Sequence, residues 1–171
     1  MKILTMVLPN GMTAAVYGPT SGRDNDIELF RLSELDDVLT DVCVAEHGGD
    51  LYCTYGDAIF AGYWNCLRTQ HFAPPGTTLT PAQEEENENM KAVRECVEWS
   101  YAKAESLWKL LTTKYHAKLE VDSGRVFAEV RVMYFLTNCR VCTLEGSTMT
   151  GTRGFRCPPP TLAEYLSMLN N

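Results

Sequence analysis

The stretch VRECVEWSYAKAESLWKLL, residues 93–111, repeats apolar residues every three or four positions, at 93, 97, 101, 104, 108 and 111. This spacing predicts an α-helix that packs along one side. Glu98 directly follows one of the apolar positions. Its ordinary role would be an ion pair with Arg94, one turn earlier on a solvated flank. Its alternative role is a carboxylate directed at chemistry.

Length and composition indicate one compact domain over residues 1–171. The chain has 45% hydrophobic residues, enough for one core at the usual domain size. It has no apolar run of membrane-spanning length and no cleavage pattern of a secretory signal. An odd count of seven cysteines is typical of reduced thiols in an intracellular protein. The net charge of -7 argues against strong nonspecific nucleic-acid binding by this chain alone.

The first part of the chain, residues 1–60, is predicted to contain strands and a helix. Residues 2–8 and 12–17 are β-rich runs joined by PNG, a strong hairpin signal. Residues 27–47 have helical spacing, consistent with one helix or a helix pair broken near Ser33. LYCTYGDAIF is predicted to be a strand ending near Gly56 and Asp57. This order of strand, turn and helix indicates an α/β fold.

The rest of the chain is predicted to be mainly helical. A proline-rich loop over residues 69–81 precedes a long helix over residues 81–113, whose acidic first turns suit the helix dipole. The C-terminal helical part covers residues 125–171, with a strand as an alternative at its start. Within it, TLAEYLSML is predicted to be a short helix opened by a capping box of Thr161 and Glu164.

Asp57 and Glu98 are the main candidates for chemistry. An acid at the end of a strand and another on a following helix can present carboxylates to a divalent metal, because Mg²⁺ prefers a few hard oxygen ligands. The ordinary alternatives are a Gly-Asp turn and the ion pair with Arg94. A chain with 22 acidic residues offers many such pairs.

Other polar motifs have ordinary structural interpretations. Asp24 and Asp26 precede a helix, where capping is favoured over catalysis. Cys139 and Cys142 form a CxxC motif without a second CxxC, which favours core packing over a zinc site. His71 lies in the proline-rich loop with no nucleophile near it in sequence.

The order of these motifs resembles the DDE nuclease domain of Harbinger-type transposases and their domesticated relatives. The resemblance runs along nearly the whole chain. It rests on five segments, which are LPNGMTAAVYGPTSGRDND, LYCTYGDAIF, LTPAQEEENENMKAVRECVEWSYAKAESLWKLL, YFLTNCRVCTLEG and CPPPTLAEYL.

The resemblance implies an RNase H-like mixed sheet flanked by helices, in which three acids hold two Mg²⁺ (or Mn²⁺) ions for DNA phosphodiester hydrolysis or strand transfer. Asp57 matches the second acid and Glu98 the third. Arg94 would support Glu98 or contact a phosphate. Asp26 matches an accessory aspartate, and Asn25 stands where the family usually has a histidine.

The resemblance also leads to expectations about what the chain lacks and binds. The family's first acid and first strand lie upstream of the PNG hairpin, so we expect a truncated domain, inactive alone, with an exposed strand edge that favours self-association. DNA would be reached through a separate or missing DNA-binding region, with a Myb-like protein partner, in the nucleus. The alternatives are a non-catalytic transposon remnant that acts as a protein-interaction module, and an unrelated zinc-binding α/β domain.

Overall fold

A computed structural model describes residues 2–20, 23–45, 53–62, 66–112, 123–144 and 157–168. These residues form a mixed α/β fold of helices and small sheets, as the sequence predicts. The chain divides into two compact units, here called the terminal unit (Met1–Arg23 and Cys96–Asn171) and the central unit (Asp24–Glu95). The single domain over residues 1–171 stays a prediction. None of the described helices is long and apolar enough to cross a membrane.

The terminal unit begins with the predicted hairpin. Strand β1 (Lys2–Val7) pairs antiparallel with strand β2 (Thr13–Thr20). In the turn, Gly11 has a φ of 83°, and the Asn10 side chain accepts a hydrogen bond of 3.0 Å from the Met12 N–H. Asn and Gly provide the side-chain acceptor and the positive φ that this turn requires, which confirms the hairpin.

Helices complete the terminal unit. The long helix α3 (Pro81–Leu107) begins in the central unit and ends in the terminal unit, and helices α4 (Ser123–Thr143) and α5 (Leu162–Met168) follow. The start of α4 is helical, so the alternative of a strand there is wrong. Thr161 and Glu164 form the predicted capping box, since each side chain bonds to the backbone N–H of the other residue at 2.8 and 3.3 Å.

The later apolar positions of residues 93–111 pack in the terminal unit as predicted, although α3 ends at Leu107 and Lys109–Leu111 forms a 3₁₀ helix. Ala104 and Leu111 are buried in a cluster with residues of α4. The Trp108 indole N–H donates to the Thr137 hydroxyl at 2.9 Å, so this half-buried ring has a polar partner as well as apolar neighbours. The stretch therefore joins the end of α3 to α4.

Cys142 of the CxxC motif is a core residue. It is buried with Met12 and Val141, whereas Cys139 is half-buried. The core interpretation is thereby confirmed for Cys142, which lies at the end of α4 beside the hairpin turn. Burial also raises the pKa of its thiol, since the apolar surroundings disfavour the thiolate.

The central unit begins with the predicted helix pair. Helix α1 (Asp26–Leu32) and helix α2 (Leu35–Ala45) are separated at Ser33, whose hydroxyl donates to the Phe30 carbonyl at 2.6 Å. The next residue, Glu34, has a φ of 55°, which ends α1. The break near Ser33 is therefore confirmed.

A short parallel sheet follows α2 in the described residues. Strand β3 (Thr54–Tyr55) pairs with strand β4 (Leu67–Arg68). Residues 51–52, the start of the predicted strand, lie outside the described residues. Residues 69–80 form neither helix nor strand, which confirms the predicted loop, and α3 then begins at Pro81.

Candidate active site

Asp57 stands where the sequence predicted, directly after the carboxyl end of β3. Strand β4 supports this position, because the Gly56 N–H donates a hydrogen bond of 2.9 Å to the Arg68 carbonyl. The Thr54 N–H likewise donates to the Cys66 carbonyl at 2.8 Å. The backbone on the N-terminal side of Asp57 is therefore fixed by β4.

The Leu67 side chain of β4 approaches Gly56 closely. A Cβ atom at this position would lie 3.0 Å from Leu67 Cδ2 and 3.2 Å from Leu67 Cδ1. Those distances are shorter than comfortable carbon–carbon contacts, so a larger residue would require the Leu67 side chain to shift by a few tenths of an ångström. The Gly-Asp pair therefore combines close packing against β4 with a carboxylate.

The carboxylate of Asp57 also caps the 3₁₀ helix Ala58–Phe60. Oδ1 accepts a hydrogen bond of 2.6 Å from the Ala58 N–H, and the Phe60 N–H donates to the Asp57 carbonyl at 2.9 Å. Phe60 is buried and packs on Phe30 of α1, with the ring centroids 5.7 Å apart. The aromatic residue three positions after Asp57 thus anchors the turn that orients the carboxylate.

Arg94 on α3 forms an ion pair with Asp57. The distance from Arg94 Nη2 to Asp57 Oδ1 is 3.5 Å, and the Asp57 side chain is 64% exposed. An exposed pair of this kind contributes little, about 0–1 kcal/mol. Both contacts of the carboxylate use Oδ1, and within the described part of the chain Oδ2 has no hydrogen bond or ion pair. The carboxylate is therefore oriented by one oxygen, with the other available to a ligand.

Glu98 lies on the part of α3 that belongs to the terminal unit. Its side chain is exposed, and so is the neighbouring Trp99, whereas Ser100 is buried. The helix therefore presents Glu98 on its solvated side. The sequence offered an ion pair between Glu98 and Arg94 as the ordinary role of Glu98. Among the described residues, Arg94 forms its ion pair with Asp57.

Comparison with known proteins places this sequence in a family. The profile of the DDE superfamily endonuclease family matches residues 1–138, which is most of the chain. The chain belongs to the DDE superfamily endonuclease family. No curated protein and no solved structure matches it. The matched range contains all four predicted site residues of this DDE endonuclease domain, which are Asp26, Asp57, Arg94 and Glu98.

Asp26, the predicted accessory residue, lies in the central unit of the DDE endonuclease domain, at the first position of α1. The predicted capping role of Asp24 and Asp26 is wrong, because the N-cap is Asn25, whose side chain accepts from the Ile27 N–H at 3.1 Å. Asp26 is already helical and so places its charge in the first turn, where the helix dipole favours an anion. One turn later, Phe30 packs on the ring that anchors the candidate carboxylate.

One residue of the DDE endonuclease domain, Asp57, is suited to bind a hard divalent cation. The Asp57 carboxylate has the chemistry that Mg²⁺ and Mn²⁺ prefer, its side chain is 64% exposed, and its contacts among the described residues use Oδ1. Among the described residues, no group of three or more His, Cys, Asp or Glu side chains could hold a metal ion. Asp57 therefore fits as one ligand, and its role with Glu98 belongs to the proposal below.

Sequence reasoning missed a cluster of polar contacts between the loop after β4 and α3. The His71 Nε2 atom lies 2.8 Å from Glu86 Oε2, and the Asn87 side chain hydrogen-bonds to the His71 backbone. Arg68 lies 3.4 Å from Glu86 Oε1. The partners are separated by 15 to 18 residues, so helical or strand periodicity carries no signal for them.

Proposed function

We propose that this DDE endonuclease domain derives from a Harbinger-type transposase and acts by metal-dependent hydrolysis or strand transfer at DNA phosphodiester bonds. Asp57 and Glu98 are the proposed metal-binding acids. The observation that carries the proposal is the Asp57 carboxylate, which is exposed at a strand end, oriented through Oδ1 and open at Oδ2. Family membership supports the endonuclease class.

The proposed ions are Mg²⁺ or Mn²⁺, which supply activation of the attacking hydroxyl and stabilisation of the leaving oxygen when bound. Asp57 would contribute Oδ2 as a ligand without losing the hydrogen bond from Ala58 to Oδ1. Glu98 would contribute a second carboxylate. Arg94 would support the site, because it contacts Asp57. A guanidinium at this position can balance the carboxylate charge and can contact a phosphate.

The resemblance supports further parts of the proposal. The small sheets would belong to an RNase H-like mixed sheet flanked by helices. DNA would be delivered by a separate DNA-binding region or a Myb-like partner, because a chain with a net charge of -7 attracts phosphate poorly. Nuclear localisation and self-association through a strand edge are the remaining proposals.

Metal binding can be tested by nuclear magnetic resonance on the ¹⁵N-labelled chain. Paramagnetic Mn²⁺ at Asp57 should broaden the Ala58 amide signal, whose N–H donates to the Asp57 carboxylate at 2.6 Å. Asp57→Asn keeps the shape and the capping oxygen but removes the charge, so it should abolish the broadening. Glu129→Gln, a change in the exposed Arg125–Glu129 pair, serves as the control and should behave like the wild type. Equal broadening in wild type and Asp57→Asn would refute the metal role of Asp57.

Catalysis is tested by incubating the chain with plasmid DNA and Mg²⁺ or Mn²⁺. We expect no cutting by the chain alone, because no group of three or more His, Cys, Asp or Glu side chains among the described residues could hold a metal ion. Cutting that Asp57→Ala and Glu98→Ala both abolish would support the enzyme and refute inactivity alone. A chain that neither binds Mn²⁺ at Asp57 nor cuts DNA would favour the alternative, a non-catalytic protein-interaction module.

A further inference from the structure

One side-chain amide on α3 holds the backbone of the loop that follows β4. The Asn87 Oδ1 atom accepts from the His71 N–H at 2.8 Å, and the Asn87 Nδ2 atom donates to the His71 carbonyl at 3.1 Å. Both backbone groups of His71 are thus satisfied by one amide, in the way that a neighbouring strand would satisfy them. Two bonds from one rigid group fix the position of the loop more narrowly than one bond can.

Glu86, the residue before Asn87, binds the same segment through two basic side chains. Its Oε2 atom is 2.8 Å from His71 Nε2, and its Oε1 atom is 3.4 Å from Arg68 Nη1. The hydrogen bond with His71 is the main cause that lowers the pKa of the Glu86 carboxyl, and the electrostatic effects of His71 and then Arg68 act in the same direction. We call the four residues Arg68, His71, Glu86 and Asn87 the α3 clasp.

The α3 clasp is connected to the candidate active site through β4. Arg68 belongs to the clasp by its side chain, and its carbonyl accepts the hydrogen bond from the Gly56 N–H at 2.9 Å. Asp57 follows Gly56 in the chain, just after the end of β3. Movement of β4 relative to α3 would therefore move the backbone from which the Asp57 carboxylate extends.

Asp57 is thus attached to α3 in two different ways. One attachment is direct, through the ion pair with Arg94, and is weak because it is exposed. The other is indirect, through β4 and Glu86. Glu86 precedes Arg94 by eight residues, or about 12 Å along the helix axis. Two attachments at this separation fix the orientation of the Asp57 segment relative to α3. The Arg94 contact alone would allow that segment to rotate.

We propose that Glu86 and Asn87 are positioning residues, which hold β4 on α3 and thereby set where the Asp57 carboxylate stands relative to Arg94. They act through the backbone of β4 and do not touch Asp57. The functional meaning of the clasp rests on the proposed metal role of Asp57, whereas its mechanical effect on Asp57 is independent of any metal.

The mechanical effect is tested with Asn87→Ala in the full chain. We expect the His71 and Gly56 amides to exchange with solvent about tenfold faster, because their hydrogen bonds open more often when β4 is released from α3. The Ala58 amide signal, which reports the bond to Asp57 Oδ1, should shift at the same time. Asn89→Ala, an exposed residue on the same helix, is the matched control and should leave all three amides unchanged.

Several results would overturn the proposal. Faster exchange at His71 with wild-type values at Gly56 and Ala58 would mean that the clasp anchors only its own loop. If Asn87→Ala unfolds the chain, Glu86→Gln provides the test instead. This change keeps the hydrogen bonds of Asn87 and the shape of the side chain at position 86. Glu86→Gln should shift the Ala58 amide in the same direction by a smaller amount, and an unchanged signal refutes the proposal.

The functional consequence has its own measurement. Mn²⁺ broadening of the Ala58 amide should require a higher Mn²⁺ concentration in Asn87→Ala than in wild type. If the wild type shows no broadening, the proposed metal role fails while the exchange results still decide the clasp. If the wild type binds Mn²⁺ and Asn87→Ala binds it equally well, the clasp does not serve the site.

Discussion

Asn138→Ala is expected to be one of the most destabilising single changes in the terminal unit. Asn138 is 5% exposed, and its amide accepts from the Thr13 N–H at 2.8 Å, donates to the Thr13 carbonyl at 2.8 Å and donates to the Tyr165 hydroxyl at 3.1 Å. Thr13 is 7% exposed, so truncation leaves both of its backbone groups buried without these partners. At about 1–3 kcal/mol for each of the two orphaned groups, the expected loss is roughly 2–6 kcal/mol.

The loss should appear in urea unfolding followed by circular dichroism, as a lower midpoint with an unchanged m value. Asn138→Asp keeps the acceptor oxygen but loses the amide donors, so it should also be destabilising. Asn89→Ala, at an exposed position, should change stability by no more than about 0.5 kcal/mol. If Asn138→Ala costs as little as that control, the amide does not hold β2 on α4 and the reasoning is refuted.

Three further changes test other contacts. Gly56→Ala should cost about 1–3 kcal/mol in urea unfolding through crowding against Leu67, and Leu67→Ala in the same chain should recover part of that cost. Burial raises the pKa of Tyr134, so its contribution to stability is present below pH 10 and is lost as the pH rises above that value. Tyr134→Phe should therefore reduce the loss of thermal stability between pH 9 and 11, and an unchanged loss would exclude this phenol as its source. Hydrogen bonding from Thr161 lowers the pKa of Glu164, so Thr161→Ala should raise that pKa in a titration followed by nuclear magnetic resonance, and an unaltered value would contradict the capping box.

The features that the sequence predicted well depend on residues close together in the chain. The Asn10-Gly11 turn, the break at Ser33 and the capping box opened by Thr161 each use hydrogen bonds within four residues. The local sequence is enough to predict such bonds. It also predicted the position of Asp57 at a strand end. The sequence favoured capping by Asp24 and Asp26, whereas the N-cap in the structure is Asn25. This difference is one residue, which is the usual uncertainty of a helix boundary.

The features that the sequence did not predict join distant residues. Asn138 and Thr13 are 125 residues apart, and the Asp57–Arg94 pair and the α3 clasp also connect separate elements. Periodicity predicts which side of a helix or strand is buried. It does not predict which polar groups of two different elements form a hydrogen bond or an ion pair. Motif order indicated a DDE nuclease domain, because it combines many local signals, and the profile match confirmed the DDE superfamily.

We propose, as the central step of the function, that Asp57 and Glu98 bind a cation together. The most direct measurement is the Mn²⁺ affinity of the wild type, Asp57→Asn, Glu98→Gln and the double variant, read from the free-Mn²⁺ electron paramagnetic resonance signal. Each single change should weaken binding, and the double variant should be little weaker than either single one, because ligands of one ion are not additive. Wild-type affinity in either single variant, or effects that simply add, would contradict a shared site.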